Sequence, residues 1–170
     1  MKKKIAILGS TGSIGKSTLD IIRKDKKNFE IVFLSANNNY KKLIQQAKEF
    51  NVKNVLIKNK ILYERVKKSL KKRRTKVFSG DTSINNIISG KLDYTMSGIV
   101  GLAGLQPTID AIKISKTVAI ANKETIICGW DLLSKLINKY KTEVLPVDSE
   151  HFSIMELTKN VRDSEIEEII

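Results

Sequence analysis

The chain has 170 residues, of which 41% are hydrophobic, and its 31 Lys and Arg residues outnumber 18 Asp and Glu residues to give a net charge of +13. This length suits one ordinary domain, or one domain and the start of a second, and the apolar share excludes wholesale disorder. The single Cys excludes a disulfide framework within the chain and a Cys-rich zinc site. Because the sequence has neither a signal peptide nor an apolar run of roughly 18 residues, we expect a cytoplasmic chain with no membrane segment.

Short apolar runs alternate with amphipathic segments along the chain. The runs that predict β-strands lie at residues 5–8, 31–34, 54–57, 76–78, 94–96, 117–121 and 144–146. The segments that predict helices lie at residues 14–24, 43–50, 62–70, 84–88, 102–114 and 123–140. Strands separated by helices of this length form right-handed crossovers in a parallel sheet covered on both faces. The sequence therefore predicts an α/β fold with a doubly wound parallel sheet of Rossmann type.

The positive charge is concentrated in residues 1–142 and is densest at residues 67–74. Such a cluster can neutralise the phosphates of a nucleic acid. However, no aromatic residue lies among these cations to stack on a base, and Lys predominates over Arg. The pattern favours a solvated basic surface, with a nucleic-acid-binding domain as the alternative.

A glycine-rich loop follows the first predicted strand. Gly9, Gly12 and Gly15 are spaced three residues apart, directly before a predicted helix. This arrangement permits a tight turn and a close approach to a pyrophosphate, which the free N–H groups of the helix would bind. Three residues of the loop add hydroxyl groups as further donors, namely Ser10, Thr11 and Ser13. The motif predicts a phosphate-binding loop, with a purely structural turn as the alternative.

The second predicted strand ends in three asparagines, Asn37, Asn38 and Asn39. Enzymes that prefer NAD usually have an Asp or Glu here, which accepts a hydrogen bond from the ribose 2′-hydroxyl. Amide donors, with Lys41 and Lys42 close in sequence, tolerate the 2′-phosphate that a carboxylate would repel. The segment therefore favours NADP over NAD. The alternative is that this Asn-rich segment only caps the next helix, and both roles are compatible.

A polar triplet stands at the junction of the sixth predicted strand and its helix. Lys123 is suited to hold a substrate phosphate or hydroxyl, Asn122 to bond to the nicotinamide-side ribose, and Glu124 to orient either. The alternative is ordinary helix N-terminal chemistry, in which the dipole favours Glu124. The following helix is expected to bury Cys128 and Trp130 in the core.

Two acidic residues follow the last predicted strand. Asp148 and Glu150 are two residues apart, so in an extended segment both carboxylates point the same way. They would supply half of a site for Mg²⁺ or Mn²⁺, which prefer oxygen ligands. Ser149 would point oppositely or donate to a phosphate. The alternative is a loop with two solvated acids.

These motifs together resemble the N-terminal part of the 1-deoxy-D-xylulose 5-phosphate reductoisomerase family. The residues that carry the resemblance are 9–15, 99–105 with Pro107 and Thr108, 121–124 and 146–151. Members of this family use NADPH and a divalent metal in the non-mevalonate isoprenoid pathway. They rearrange the carbon skeleton of the substrate and reduce the resulting aldehyde to 2-C-methyl-D-erythritol 4-phosphate.

The resemblance implies a role for each motif. The residues that it assigns to NADPH are Thr11, Gly12, Ser13, Ile14, Asn37, Asn38, Asn39, Asn122 and Glu124. The residues that it assigns to the sugar phosphate substrate are Lys123, Ser149 and Glu150. The metal ligands would be Asp148 and Glu150, and the catalytic set would be Lys123, Asp148 and Glu150. Many members have a Gly-Lys pair where this chain has Asn37 and Asn38, which predicts weaker NADPH binding.

The resemblance also implies a domain organisation. Residues 1–146 would form the NADPH-binding domain, and residues 147–170 would begin a catalytic domain whose edge strand or connecting helix starts near residue 161. Since family members are much longer, we expect a fragment that is inactive alone and a homodimer at full length, without nucleic-acid or membrane partners. The competing hypotheses are another NADP-dependent Rossmann enzyme, related to homoserine dehydrogenase or dihydrodipicolinate reductase, and the nucleic-acid-binding domain.

Overall fold

A computed structural model describes residues 1–168. Its strands form one seven-stranded sheet. In chain order they are β1 (Lys3–Leu8), β2 (Phe29–Ala36), β3 (Asn54–Ile57), β4 (Lys76–Ser79), β5 (Leu92–Ser97), β6 (Ser115–Ile120) and β7 (Glu143–Pro146). Neighbouring strands are all parallel, in the order β4-β3-β2-β1-β5-β6-β7. The predicted doubly wound parallel sheet is confirmed.

The helices occupy the crossovers between the strands. They are α1 (Ser13–Lys24), α2 (Tyr40–Glu49), α3 (Tyr63–Leu70), α4 (Ile84–Ile87), α5 (Leu105–Ile114), α6 (Lys123–Tyr140) and α7 (Ser149–Thr158). Short 3-10 turns lie at Lys60–Leu62, Leu102–Gly104 and Asp163–Glu165. Across residues 1–168, no helix combines the length and apolar character that crossing a bilayer would require.

The core lies on both faces of the sheet. On one face α1, α2 and α3 bury apolar side chains against the strands, including Leu19, Leu43 and Val66. On the other face the buried side chains include Ile112 of α5 and Leu133 of α6. Each layer shields its face of the parallel sheet from water, which explains the continuous apolar runs of the strands.

The chain reverses its direction of travel across the sheet at β1. From β1 it proceeds outward to β4, and it then returns so that β5 lies on the other side of β1. Ile5 of β1 accordingly pairs with Ile31 of β2 on one side and Tyr94 of β5 on the other. Ligands of open α/β sheets bind at such a switch point, outside the carboxyl ends of the strands. The glycine-rich loop is the segment that leaves β1 at this point.

Two expectations about local structure were wrong, those for residues 148–150 and for Cys128 and Trp130. Residues 148–150 are not extended, because α7 begins at Ser149 with Asp148 as its N-cap. Trp130 is 54% exposed and Cys128 is exposed, so neither belongs to the core. No strand starts near residue 161 among the described residues, where only the 3-10 turn Asp163–Glu165 follows α7. Ile169 and Ile170, which the predicted second domain includes, lie outside the described residues.

Candidate functional site

The glycine-rich loop turns sharply because two of its glycines leave no space for a side chain. Gly9 has a φ of +78°, and a Cβ atom there would lie 2.8 Å from the carbonyl oxygen of Gly98. A Cβ atom on Gly15 would lie 2.5 Å from the carbonyl oxygen of Gly9. Only glycine at these positions allows α1 to start directly against the ends of β1 and β5.

The N-terminus of α1 is open to an anion. Its N-cap residue is Gly12, no side chain caps it, and no acidic residue lies in its first turn. The first N–H groups of a helix have no partner within the helix and carry the positive end of its dipole. Gly12, Ser13 and Ile14 are exposed and Thr11 is half-buried. The N–H of Gly12 donates to the carbonyl oxygen of Gly9 at 3.1 Å, so the donors at the switch point are the N–H groups of the first turn of α1, as a phosphate-binding loop requires.

Ser10 does not add a donor for a ligand. Its side chain is buried, and its hydroxyl donates to Oε1 of Gln46 at 2.8 Å and contacts the carbonyl oxygen of Ser35 at 3.2 Å. Only Thr11 and Ser13 of the three predicted hydroxyls remain accessible. Gln46 was missed at the sequence level, although a polar residue between Leu43 and Ala47 on the inward face of α2 was the available signal.

The asparagines after β2 lie beside this loop and are all exposed. The Asn39 side chain caps α2 by accepting from the N–H of Lys42 at 3.2 Å, so the capping alternative is confirmed for this residue. Asn38 accepts from the side chain of Asn59 at 3.0 Å. The side chains of Asn37 and Asn38 do not cap α2, so their exposed amide nitrogens are available to donate to a ligand.

Asn122 is buried at the end of β6 and organises the neighbouring loop. Its amide nitrogen donates to the carbonyl oxygens of Ile99 at 2.5 Å and Gly101 at 2.7 Å. Its amide oxygen accepts from the N–H of Thr125 at 2.9 Å and so caps α6. Both amide hydrogens of Asn122 are used within the protein, so only its amide oxygen can form a hydrogen bond with a ligand.

Lys123 and Glu150 bring the two remaining motifs together. The ammonium of Lys123, on the first turn of α6, lies 3.7 Å from Oε1 of Glu150, on the first turn of α7. Ser149 donates to Oε2 of Glu150 at 2.7 Å. This hydrogen bond, the backbone N–H of Glu150 and the charge of Lys123 lower the pKa of the Glu150 carboxyl. Glu124 is exposed on the same turn as Lys123.

Asp148 is half-buried, with its side chain 11% exposed, and is the less exposed of the two carboxylates. Its Oδ1 accepts from the N–H of His151 at 3.1 Å and contacts Nδ1 of that ring at 2.6 Å. Burial raises the pKa of Asp148, but the hydrogen bonds from the His151 side chain and backbone outweigh it, so this pKa is below its usual value. Oδ2 of Asp148 is also buried and has no hydrogen-bond partner in the described part of the chain. An ionised buried oxygen without a partner is suited to a cation.

The side chains that the structure describes, which leave out that of Asp163, do not assemble a complete metal site. No three His, Cys, Asp or Glu side chains among them are placed to hold one ion. Asp148 and Glu150 lie two residues apart at the start of α7, and each offers one carboxylate to a cation. Hard cations also take water and substrate oxygens, so a pair of this kind fits a Mg²⁺ or Mn²⁺ site without filling it.

One cavity lies away from these residues. It has a volume of about 410 Å³ and sits where β1, β3, β4 and β5 begin, at the opposite edge of the sheet. Its basic lining residues are Lys4, Lys53, Arg74, Lys76 and Lys91. No predicted site residue lines it, so the candidate site is defined by its loops and not by the size of a cavity.

The sheet, its switch point and the open N-terminus of α1 define the chain as a Rossmann-type α/β domain. A sequence model of 1-deoxy-D-xylulose 5-phosphate reductoisomerase matches residues 5–129, and the chain belongs to this family. The reductoisomerase of Pelagibacter ubique is 54% identical over 169 residues, and that of Bacteroides fragilis is 40% identical over 170 residues. These matches cover 98% and 99% of this chain but 44% of each relative.

Solved structures of the same family have the same fold. The Zymomonas mobilis reductoisomerase in complex with NADPH superposes with a TM-score of 0.84 at 37% identity, covering 89% of this chain and 40% of that one. A reductoisomerase in complex with NADPH, fosmidomycin and magnesium gives a TM-score of 0.81 at 34% identity, covering 88% of this chain and 37% of that one. The chain thus spans less than half the length of these relatives.

Proposed function

We propose that this chain binds NADPH at the switch point of the sheet, through Thr11, Gly12, Ser13 and Ile14. The observation that carries the proposal is the uncapped N-terminus of α1, which has no acidic residue in its first turn. Its N–H groups would bind the pyrophosphate, because the dipole and the missing intrahelical partners both favour an anion there. The NADPH complex of the Zymomonas mobilis relative supports this choice of ligand.

We propose that Asn37, Asn38 and Asn39 surround the adenosine 2′-phosphate. The segment contains no carboxylate, so nothing in it repels a second phosphate. Amides donate hydrogen bonds but carry no charge, so they bind a phosphate more weakly than Lys or Arg would. Preference for NADPH over NADH, at modest affinity, is the expected consequence.

Asn122, Lys123 and Glu124 would form the opposite wall of the cofactor and substrate site. Asn122 would keep the loop at residues 99–101 in place and offer its amide oxygen to the nicotinamide-side ribose. Glu124 would orient the cofactor from the same turn of α6. The ammonium of Lys123 would donate to a phosphate or hydroxyl of the sugar phosphate substrate, in place of its present contact with Glu150.

Asp148 and Glu150 would hold a divalent metal, Mg²⁺ or Mn²⁺, and Ser149 would donate to the substrate. The buried and unpartnered Oδ2 of Asp148 fits this role, as does the magnesium in the fosmidomycin complex of the relative. His151 would keep Asp148 ionised and oriented through its two contacts with Oδ1. The metal supplies stabilisation of negative charge on the substrate oxygens.

The reaction would be that of the family. NADPH would donate hydride, and 1-deoxy-D-xylulose 5-phosphate would be isomerised and reduced to 2-C-methyl-D-erythritol 4-phosphate. Because this chain spans 44% of its relatives, the remaining ligands of metal and substrate would come from outside residues 1–170. We expect residues 1–170 to bind NADPH without turnover, in a cytoplasmic protein that forms a homodimer at full length. Oxidation of NADPH by these residues alone, with substrate and Mn²⁺ present, would contradict this.

The binding half of the proposal is tested by fluorescence titration of the chain with NADPH and NADH. Ser13→Glu places a carboxylate in the first turn of α1 and should weaken NADPH binding roughly tenfold or more. Ser17→Glu adds the same charge one turn further along the helix and should change the Kd by about twofold at most, since the helix-end effect falls off within one turn. Equal effects of the two variants would contradict binding at the end of α1.

Titrations with NADPH and NADH, with a nucleic acid and with Mn²⁺ together separate the proposal from its competitors. A nucleic-acid-binding domain would bind DNA or RNA with a steep dependence on salt and would not prefer NADPH to NADH. A different NADP-dependent enzyme would bind NADPH but would give Asp148 no role in binding Mn²⁺. The proposed function requires one chain that prefers NADPH to NADH and also binds Mn²⁺ through Asp148.

A further inference from the structure

Gln46 is a buried polar residue that forms a closed pair of hydrogen bonds with Ser10. Its side chain is 2% exposed, although it lies on the apolar inward face of α2. Its Nε2 donates to the carbonyl oxygen of Ser10 at 2.9 Å, and the Ser10 hydroxyl donates to its Oε1 at 2.8 Å. Both ends of the amide are therefore bound to one residue of the glycine-rich loop.

Ser10 is also tied to the end of β2. Its N–H donates to the carbonyl oxygen of Ser35 at 2.8 Å, and its hydroxyl contacts the same oxygen at 3.2 Å. The N–H of Gly9 donates to the Ser35 hydroxyl at 3.1 Å. Hydrogen bonds therefore join three separate segments, which are the loop after β1, the end of β2 and the helix α2.

These segments lead to the two phosphate-binding regions of the proposed site. Ser10 directly precedes Thr11 and Gly12 at the start of α1, and Ser35 lies two residues before Asn37, the first of the three asparagines. Gln46 lies on α2, whose N-cap is Asn39. Because a helix is a stiff rod with a rise of about 1.5 Å per residue, Gln46 fixes the position of its cap relative to Ser10.

We propose that Gln46 is a positioning residue that holds the pyrophosphate loop and the 2′-phosphate segment at the spacing that NADPH requires. This inference rests on the proposed function and adds a determinant of NADP specificity that contacts no ligand. An apolar side chain of similar length would fill the same space without needing a partner. The amide instead fixes the orientation of Ser10, since an unpaired buried amide would be costly.

The test replaces Gln46 with Met and measures the Kd for NADP⁺ and NAD⁺ at a temperature where circular dichroism shows the variant folded. We expect the Kd for NADP⁺ to rise about tenfold, and the ratio of the Kd for NAD⁺ to the Kd for NADP⁺ to fall. The reason is that the two phosphate-binding regions are no longer held at a fixed spacing. Gln45→Met is the control, as Gln45 is exposed on the same helix and should change neither Kd. A residue that only stabilised the fold would lower Tm and leave both Kd values unchanged.

A second variant, Gln46→Glu, gives a pH profile. An ionised Glu can accept from the Ser10 hydroxyl but cannot donate to the Ser10 carbonyl, so binding should be weak at alkaline pH. Protonation restores the donor, and burial raises the pKa of such a carboxyl, so the affinity relative to wild type should recover on acidification. Ser10 and Ser35 bring no charge. The charged side chains that line the adjacent cavity are Lys16, Asp20 and Arg23 from α1 and Lys42 and Glu49 from α2.

The outcomes separate this inference from the function on which it rests. A wild-type chain with no affinity for NADP⁺ would overturn both. A wild-type chain that binds NADP⁺, with Gln46→Met binding it equally well and with the same selectivity, would overturn the positioning role alone. A ratio of Gln46→Glu to wild-type affinity that does not change with pH would also overturn it.

Discussion

Lys123 and Glu150 face each other across 3.7 Å and join the first turn of α6 to the first turn of α7. Both side chains are more than half exposed, at 54% and 61%. An ion pair this exposed contributes little to stability, since solvent screens the charges and the long side chains lose entropy. The ion pair instead places Lys123, the residue proposed to bind substrate, next to Glu150, a proposed metal ligand.

Glu150→Gln should therefore weaken metal binding without changing the stability of the fold. We expect the midpoint of urea unfolding to stay unchanged, because the carboxylate is exposed. We expect the Kd for Mn²⁺, measured from the signal of the free ion in electron paramagnetic resonance, to rise roughly tenfold. Glu156→Gln makes the same change on an exposed residue of α7 and should have no effect on Mn²⁺ binding. An equal response of the two variants would argue against a metal at the start of α7.

Gly15→Ala should disrupt the glycine-rich loop. The new Cβ would lie 2.5 Å from both the carbonyl oxygen of Gly9 and Cα of Ser10, and these are backbone atoms that cannot move away cheaply. We expect a loss of about 1–3 kcal/mol in the free energy of unfolding, measured in urea, and weaker NADPH binding. Gly12→Ala is the matched control, because its Cβ would approach no described atom closer than 3.4 Å. A destabilisation by Gly12→Ala as large as that by Gly15→Ala would contradict the steric explanation.

The fold could be predicted from the sequence because its patterns are local. The strand β3 and the helix α6 have the predicted bounds, since a short apolar run and an eighteen-residue amphipathic segment both leave a clear periodicity. The exposure of Trp130 could not be predicted, because its spacing from Ile126 and Leu133 places it on the apolar face of α6. Only the packing of α5 and the sheet decides which of these residues are covered.

The start of α7 was open to prediction but was misassigned. Asp148 is a favourable N-cap residue, and Glu150 is favoured in a first turn, so the helix signal was present. The preceding strand suggested a continued extended segment instead.

The Ser10–Gln46 pair carried no local signal of this kind. Its members are 36 positions apart in sequence, and only the packing of α2 against β2 and β3 brings them together.

Asn38→Lys should tighten NADPH binding. Asn38 is exposed beside the proposed 2′-phosphate region, and a Lys there would add the positive charge that its amide lacks. We expect the Kd for NADPH to fall about fivefold to tenfold, the Kd for NADH to stay constant, and the gain to shrink as salt is added. Gln45→Lys adds the same charge to an exposed position of α2 and should give a smaller gain. An equal fall in the Kd for NADH would contradict recognition of the 2′-phosphate.

Asp93 links β1 to β6 and should make stability depend on pH. Its carboxylate accepts from the ammonium of Lys116 at 2.7 Å and from the N–H of Lys4 at 2.8 Å. These hydrogen bonds, with the contact to Lys116 the stronger, hold the pKa of Asp93 below its ordinary value of 3.8. Since the lowered pKa belongs to the folded state, the stabilisation is complete above pH 3.8 and is lost as the pH falls through the folded pKa.

Asp93→Asn tests this link. At neutral pH we expect the variant to lose about 1 kcal/mol in the free energy of unfolding, because an amide keeps an acceptor for Lys4 but no charge for Lys116. As the pH falls below 3.8, wild type loses its advantage and the two urea curves should converge. Asp131→Asn, on an exposed residue of α6, should leave the unfolding curve unchanged at neutral pH. A difference between wild type and Asp93→Asn that persists at acid pH would show that the charge of Asp93 is not what joins the two strands.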